Sequence, residues 1–479
     1  MSVELFLDAV PPRRRAAAVY EQLRDAVTSG RLVAGDRLPT SRDLAADLGL
    51  SRSTIATVYA RLVAEGYVTG RTGDGTFVAE RPHATRRPGS SSDSGQLAAT
   101  PPWRADLRTG RPDPRLFPVV AWRRSALAAL QAAPPGYGEP AGLPSLRVAL
   151  AAWVGRSRGV VAGPEHVVVT AGAQGAFDLL ARTILAPNVI VAVENPGYPP
   201  AWRAFRQARA RLQPVPVGAD GMVVEDLPSN ARAVYTTPSH QAPTGAIMST
   251  ARRQQLLDVA RRNELVVIED DYDTEYRYVD RPMEPLQRLD PERVVYVGSF
   301  SKTISPSLRL GFLVAPPDLA EALVAVRADV DTQPPYLTQA ALAAFTTSGD
   351  LDRHLRRTRR TYRARRAHLL RLLSELTAEG VIVGHDPCLA GLHITIRLPD
   401  DVAISVLVEQ LDVRGVAVNM TSRSWLGEPG PLLELGFGLA DESELDTGLG
   451  ELASTVRLRR QSPVGPNRQG TTRRCRTLP

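Results

Sequence analysis

From about residue 105 to 456 the chain alternates short apolar runs with helical patterns, and this alternation narrows the possible folds more than any other feature. The runs are Val167–Thr170, Val189–Val193, Ala233–Thr236, Leu265–Ile268, Val294–Val297 and Leu310–Val314. Each is short, apolar and rich in β-branched residues, as a buried strand is. Strands that are apolar on both faces need cover on both faces. The pattern therefore predicts an α/β domain, a mostly parallel central sheet between two layers of helices. After about residue 340 the pattern changes. An Arg-rich helix over Asp350–Leu373 precedes strands at Leu392–Arg397 and Val416–Asn419, which reads as a small C-terminal α+β subdomain.

A chain of 479 residues exceeds one ordinary core, so further domains are expected. Residues 12–80 carry short helical patterns and a Gly-rich end, while 81–104 lack apolar periodicity and read as a flexible linker. Residues 457–479 read as a disordered basic tail. That tail holds seven arginines and no acid, equal to the whole net charge of +7, and residues 1–80 balance ten arginines against ten acids. The pI of about 9.7 is thus a property of the tail and does not by itself argue for nucleic acid. The two cysteines, Cys388 and Cys475, give neither a disulfide framework nor metal-ligand spacing, so no metal is expected. With no bilayer-length apolar run and no signal-like N-terminus, a cytoplasmic protein without membrane contact is expected.

In the N-terminal region, Val19, Tyr20, Leu23 and Val27 have helical spacing that ends at Ser29-Gly30. A second helix runs through Leu44, Ala45 and Leu48, capped by Thr40 or Ser41 and closed by Gly49, and a third runs from Arg52 through Leu62. Helix, short glycine turn and helix is helix-turn-helix geometry. Tyr67-Val68 and Gly73–Val78 then read as a two-stranded wing, with Gly75 at a tip able to approach a phosphate backbone. A plain three-helix packing module would share part of this pattern. The string Gly35-Asp36-Arg37-Leu38-Pro39-Thr40-Ser41-Arg42-Asp43-Leu44-Ala45, followed by Gly66-Tyr67-Val68 and the wing, resembles the GntR class of winged-helix regulators across 12–80. The resemblance implies a double-stranded DNA operator as partner. It places Ser51, Arg52, Ser53 and Thr54 at the start of the recognition helix, and Arg42 where the preceding helix meets the DNA backbone. Arg52 is the candidate for bidentate guanine contact, and the hydroxyls suit phosphates or base edges.

Lys302 is the only lysine in the chain. Arginine keeps its proton, whereas a buried lysine amine can lose it and form an imine with an aldehyde. Lys302 follows the strand Val294–Val297 in Gly298-Ser299-Phe300-Ser301-Lys302, and another strand ends in Glu269-Asp270-Asp271-Tyr272. An imine-forming lysine with such neighbours points to pyridoxal phosphate. A carboxylate, here Asp270, keeps the pyridine nitrogen protonated, and a phenol, here Tyr272, bonds the ring oxygen. Gly172, Ala173 and Gln174 open a helix directly after a strand, where backbone N–H groups can hold a phosphate, and Ser299, Ser301 and Arg309 add donors.

Residues 105–455 resemble a fold-type I aminotransferase domain, and the combination with a GntR-type winged helix resembles the MocR family of transcriptional regulators. The strings that carry this are Tyr235–Gly245, Glu269–Tyr278, Gly298–Lys302 with Arg309-Leu310-Gly311, Tyr137–Arg147 and Glu194-Asn195-Pro196-Gly197-Tyr198. The resemblance implies that Lys302 carries the cofactor as a Schiff base, with Asp270 on the pyridine nitrogen and Tyr272 on the ring oxygen. His240 or Gln241 would be a second ring-oxygen partner. Ser299, Ser301 and Arg309 would bind phosphate, Tyr198 would stack on the ring, and Tyr137 would reach the phosphate of a neighbouring subunit. It also implies a head-to-tail, domain-swapped homodimer. One departure stands out. Where aminotransferases place an arginine for the substrate carboxylate, this chain reads Pro431-Leu432-Leu433-Glu434-Leu435-Gly436-Phe437-Gly438, with Arg423 the nearest candidate. The expected function is therefore a DNA-binding regulator that senses pyridoxal phosphate, in vitamin B6 metabolism, or an amino compound. The alternative is an active aminotransferase with an appended DNA-binding domain.

Overall fold

The N-terminal unit is built on three helices, α1 (Arg15–Thr28), α2 (Ser41–Asp47) and α3 (Arg52–Ala64), and a hairpin of β1 (Val68–Arg71) and β2 (Gly75–Val78). The computed structural model describes residues 15–71, 74–79, 103–132, 136–278 and 284–461. Most of the 81–104 linker, the wing-tip residues 72 and 73, and the tail from 462 lie outside these. Val19, Leu23, Leu44, Ile55, Val58, Leu62, Val68 and Val78 form one apolar core, so the helical spacing read from the sequence is the face that packs. Thr40 caps α2 by accepting from the Asp43 N–H at 3.2 Å, and Ser51 caps α3 by accepting from Thr54 N–H at 3.1 Å. Gly49 makes the turn between them at φ +61°.

Residues from 101 onward form a second compact unit. Its eight-stranded sheet has the order Val167–Thr170, Gly311–Val314, Val294–Ser299, Val266–Asp271, Ala231–Thr236, Ile190–Asn195, Arg211–Gly218, Gly221–Met222. The central pairings are parallel, as expected, but Gly311–Val314 runs antiparallel to both neighbours. The stretch between residues 299 and 311 is too short for a parallel crossover. Two further strands, Arg211–Gly218 and Gly221–Met222, were not expected from the sequence.

Alternation along Val266–Asp271 decides what each strand residue meets. Ile268 packs with Phe177, Phe205 and Tyr235 on one face, and Val267 packs with Leu256 and Leu257 on the other. Asp270 shares the face of Ile268, and Asp271 shares that of Val267.

The long helix is Asp350–Ala378, five residues longer than expected. It precedes a small antiparallel sheet of Gly384–His385, His393–Arg397 and Leu432–Gly436. Val416–Ala417 pairs instead with Ala105–Asp106. The last helix, Glu442–Gln461, runs past the expected start of the tail at 457. Arg457 pairs with Glu379, and Arg460 pairs with Asp401 and donates to the Gly380 carbonyl, which ties these arginines to the domain.

Candidate functional site

A cavity of about 160 Å³ opens where the sheet meets the small C-terminal sheet. Its wall holds Lys302, Asp270, Tyr272, Ala173, Gln174, Tyr198, Ser299, Ser301 and Arg309, nine of the residues singled out from the sequence. They come from the C-terminal ends of several parallel strands and from the helix that follows the first, which is where an α/β sheet leaves a crevice.

Lys302 lies just past the strand Val294–Ser299 and donates to the Gly110 carbonyl at 3.2 Å. Gly110 has φ +74°, and a Cβ there would stand 2.6 Å from Lys302 Nζ, so only glycine leaves the amine its place. Burial pushes the Lys302 amine below its usual range, against the opposing pull of Asp273, Asp270 and Glu434.

Asp270 is buried at the end of its strand and accepts from the Tyr235 hydroxyl at 2.7 Å through Oδ2. Its Oδ1 has no partner among the described residues. Burial raises this carboxyl to about 7, opposed by the Tyr235 bond. An unpartnered buried carboxylate oxygen in a cavity wall is an acceptor waiting for a ligand N–H.

The helix Gly172–Ile184 begins at Ala171 with no side-chain cap. Its first N–H groups and positive dipole end are therefore open to an anion. The Arg309 guanidinium stands beside them, donating to the Ala171 carbonyl at 2.8 Å. A Cβ on Gly172 would lie 3.3 Å from that guanidinium, so the glycine, at φ +73°, lets the two approach. Gln174 turns its amide to the Pro200 carbonyl at 3.1 Å. The Ser299 hydroxyl accepts from the Ser301 N–H at 3.2 Å, which orders it in the cavity wall.

His240 and Gln241 do not line this cavity. Gln241 spends its amide on Glu194 and the carbonyls of Pro196 and Ala242. His240 is buried behind Tyr272, with Nδ1 3.0 Å from Asp273 and 3.3 Å from the Tyr272 hydroxyl. Ala242 occupies the wall instead. Tyr137 is 91% exposed and is not among the lining residues. Arg423 is exposed and also outside the lining.

Thr109, Gly110, Ala242, Asp273, Leu392, His393 and Glu434 complete the wall and were not assigned from the sequence. His393 packs 4.6 Å from His240, ring to ring, and burial drives its imidazole down to about 3. His240, Asp273 and His393 offer donor atoms within 4.8 Å of one another, a grouping assembled from three segments that spacing alone could not reveal.

In the N-terminal unit Arg42 and Arg52 are exposed, and neither pairs with a carboxylate among the described residues. Ser51 is occupied as the α3 cap, and its hydroxyl lies 2.9 Å from that of Ser53 and 2.7 Å from that of Thr54. The three hydroxyls thus order the helix start from which Arg52 projects. On the wing, the Arg71 guanidinium is 4.8 Å and that of Arg37 6.0 Å from the Phe77 ring centre. A Cβ on Gly75 would stand 3.1 Å from Arg37 Nε.

Comparison with known proteins accords with both units. The family model described as aminotransferase class I and II matches residues 107–411, and that of bacterial regulatory proteins, gntR family, matches 15–78. The chain is 36% identical to the probable rhizopine catabolism regulatory protein MocR of Rhizobium meliloti, over 93% of this chain and 94% of that protein. It is 35% identical to the pyridoxine biosynthesis transcriptional regulator PdxR of Corynebacterium glutamicum, over 91% and 95%. Among solved structures it is similar to LysN, the α-aminoadipate aminotransferase of Thermus thermophilus complexed with N-(5'-phosphopyridoxyl)-L-leucine. There the TM-score is 0.68 at 28% identity, covering 74% of this chain and 92% of that one.

Proposed function

The chain belongs to the MocR family of transcriptional regulators, a GntR-type winged helix joined to a class I and II aminotransferase domain, and on that premise we propose that its operator affinity is set by what the large-domain cavity holds. The domain binds pyridoxal phosphate. Bound there, the cofactor supplies an amine-reactive aldehyde on an electron-withdrawing ring. The observation that carries the reading is the free Oδ1 of Asp270 in the same wall as Lys302 and the uncapped helix start at Gly172. Those three features complement a pyridine N–H, an aldehyde and a phosphate.

Lys302 holds the cofactor through its amine, which burial keeps nearer to the neutral, nucleophilic form. Asp270 fixes the proton on the ring nitrogen. Tyr272 faces the ring oxygen, steadied by His240 and Asp273 behind it. Arg309, Ser299, Ser301 and the backbone of Ala173 and Gln174 hold the phosphate. Tyr198 flanks the ring. Tyr137, exposed on this chain, serves the cavity of a partner subunit in a head-to-tail, domain-swapped homodimer.

Arg52 reads the operator from the start of α3, and Arg42 and the Gly75 turn contact the backbone. Ligand in the cavity favours one of two dimer conformations that differ in affinity for the operator. The exposed position of Arg423 leaves the lining without a second arginine, which weighs against a working amino-acid aminotransferase.

The test is uptake of pyridoxal phosphate by the native protein and by Lys302→Ala, followed by visible absorbance and by retention on desalting. Native protein is expected to gain a band at one equivalent per chain and to keep it. Lys302→Ala, still folded and of the same oligomeric state, is expected to lose it. An identical band in the variant would refute the role of Lys302, and no band in either would refute the reading of the cavity.

A further inference from the structure

Away from the anion cradle the cavity wall is acidic. Its lining holds three carboxylates, Asp270, Asp273 and Glu434, and two cations, Lys302 and Arg309. Arg309 is committed to the phosphate end by its bond to the Ala171 carbonyl and its position beside Gly172. Asp270 lies beneath the Tyr235 hydroxyl, and Asp273 is bonded to His240. His393 is held neutral by burial.

That leaves Glu434. It sits at the centre of the strand Leu432–Gly436, whose neighbours Leu433 and Leu435 are fully buried in the core. Alternation along the strand therefore sends Glu434 to the opposite face, and its pairing with Thr395 of His393–Arg397 fixes that register. Burial drives its carboxyl up to about 7, against the opposing pull of Thr109, Lys302 and His240. The Lys302 amine is the group that the cofactor engages. With the amine so used, the lining offers Glu434 no free cation: Arg309 is held at the phosphate end, and His240, whose field also reaches Glu434, lies outside the lining and is paired with Asp273. A ligand carboxylate placed there would either meet a like charge in a medium of low dielectric or hold Glu434 in its protonated form, and in both cases would find no guanidinium to pair with. A ligand ammonium would find a charge-assisted acceptor.

We propose that the effector recognised beside the cofactor is a primary amine that carries a second cationic group and no carboxylate, the chemistry of an α,ω-diamine, and that Glu434 selects it. This rests on the reading of the cavity as a pyridoxal phosphate site. Selection follows from the sign of one side chain at a position where a carboxylate-binding domain would need a cation.

The experiment uses the full-length protein loaded with pyridoxal phosphate. Calorimetric titration compares 1,4-diaminobutane and 1,5-diaminopentane with 4-aminobutyrate and 5-aminopentanoate, which replace the second ammonium by a carboxylate at similar length. The native protein is expected to bind the diamines about tenfold more tightly or better. Glu434→Gln, nearly isosteric, is expected to bring the ratio close to one, and Glu434→Arg to reverse it. Equal or tighter binding of the amino acids by native protein overturns the proposal without recourse to any variant. So does an unchanged ratio in a Glu434→Gln protein that takes up cofactor normally, and so does failure of native holoprotein to bind any diamine. Failure of native protein to take up the cofactor at all overturns the underlying reading instead, and the absorbance of the starting protein separates the two.

Discussion

Asp270 and Asp271 are adjacent in sequence and face opposite sides of one strand, so the same substitution at the two positions has opposite consequences. The Asp271 side chain is fully buried, 2.6 Å from Arg158 Nε, and accepts from the Tyr296 hydroxyl at 2.7 Å and from the Thr274 hydroxyl. The Arg158 side chain is 3% exposed. Asp271→Asn removes the negative charge and leaves that guanidinium buried without its ion-pair partner, at a cost of about 3–5 kcal/mol. Spread over the unit from 101 to 479, an unfolding entropy near 2.1 cal/mol/K per residue gives about 0.8 kcal/mol/K, so Tm falls by about 5 °C. Asp270→Asn retains an acceptor for the Tyr235 hydroxyl and removes a charge that burial already disfavours. Without cofactor its Tm therefore stays at or slightly above the native value. Cofactor uptake sorts the other way: Asp270→Asn weakens it, and Asp271→Asn retains it at temperatures where the protein is folded. The assay is thermal unfolding of the cofactor-free proteins by circular dichroism, paired with absorbance titration of pyridoxal phosphate. An Asp271→Asn protein melting within about 1 °C of native would refute the argument. A loss at Asp270→Asn as large as that at Asp271→Asn would refute it equally.

Stability of the cofactor-free protein should fall as pH rises from about 5 to 7.5, because Asp270 and Glu434, both raised to about 7 by burial, hold protons when folded that the unfolded chain has released. Melting temperatures across that window check this, with a shallower slope in Asp270→Asn; a Tm that climbs with pH would contradict it. Gly110→Ala places a methyl 2.6 Å from Lys302 Nζ on a backbone at φ +74°, so cofactor affinity should drop by at least tenfold while the far-ultraviolet spectrum stays native. A full-affinity Gly110→Ala protein would show that Lys302 does not need that space. Arg52→Ala should weaken operator binding by roughly 1–3 kcal/mol with cofactor uptake unchanged. Equal losses on operator and random DNA would make Arg52 a phosphate contact rather than a reader of bases.

Much of this was legible in the residues, and where legibility stopped there is a physical reason. The six apolar runs all became strands of one sheet because their burial on both faces leaves no other use for them. The strand Arg211–Gly218 escaped notice because Pro214 and Pro216 interrupt its pattern. It tolerates them because the outer pairing with Gly221–Met222 is confined to Val217 and Gly218, and beyond it Pro216 only accepts, through its carbonyl from the Val223 N–H at 2.8 Å, so no proline nitrogen has to donate there. Lys302, Asp270 and Tyr272 could be found because each stands at or just after a strand end within a short, chemically distinctive string. The side chain behind Tyr272 could not be assigned, since His240 and Gln241 are neighbours and only the fold shows that one bonds Asp273 and the other Glu194. Glu434, His393 and Gly110 reach the cavity from segments more than a hundred residues from Asp270, Lys302 or both, and no local pattern encodes that closure. Glu434 was visible only as an absence, a stretch without the arginine that a carboxylate-binding domain would carry. The structure shows that an acid fills the wall instead.

On the function proposed here, the large-domain cavity governs the winged helix. The most direct measurement is fluorescence anisotropy of the DNA upstream of the protein's own gene, at fixed salt, titrated with native protein and with Lys302→Ala in the presence and absence of pyridoxal phosphate. Cofactor is expected to shift the affinity of the native protein by about fivefold or more, in the range of ordinary allosteric coupling, and to leave Lys302→Ala unmoved. Strong operator binding by the native protein that is indifferent to the cofactor would contradict it.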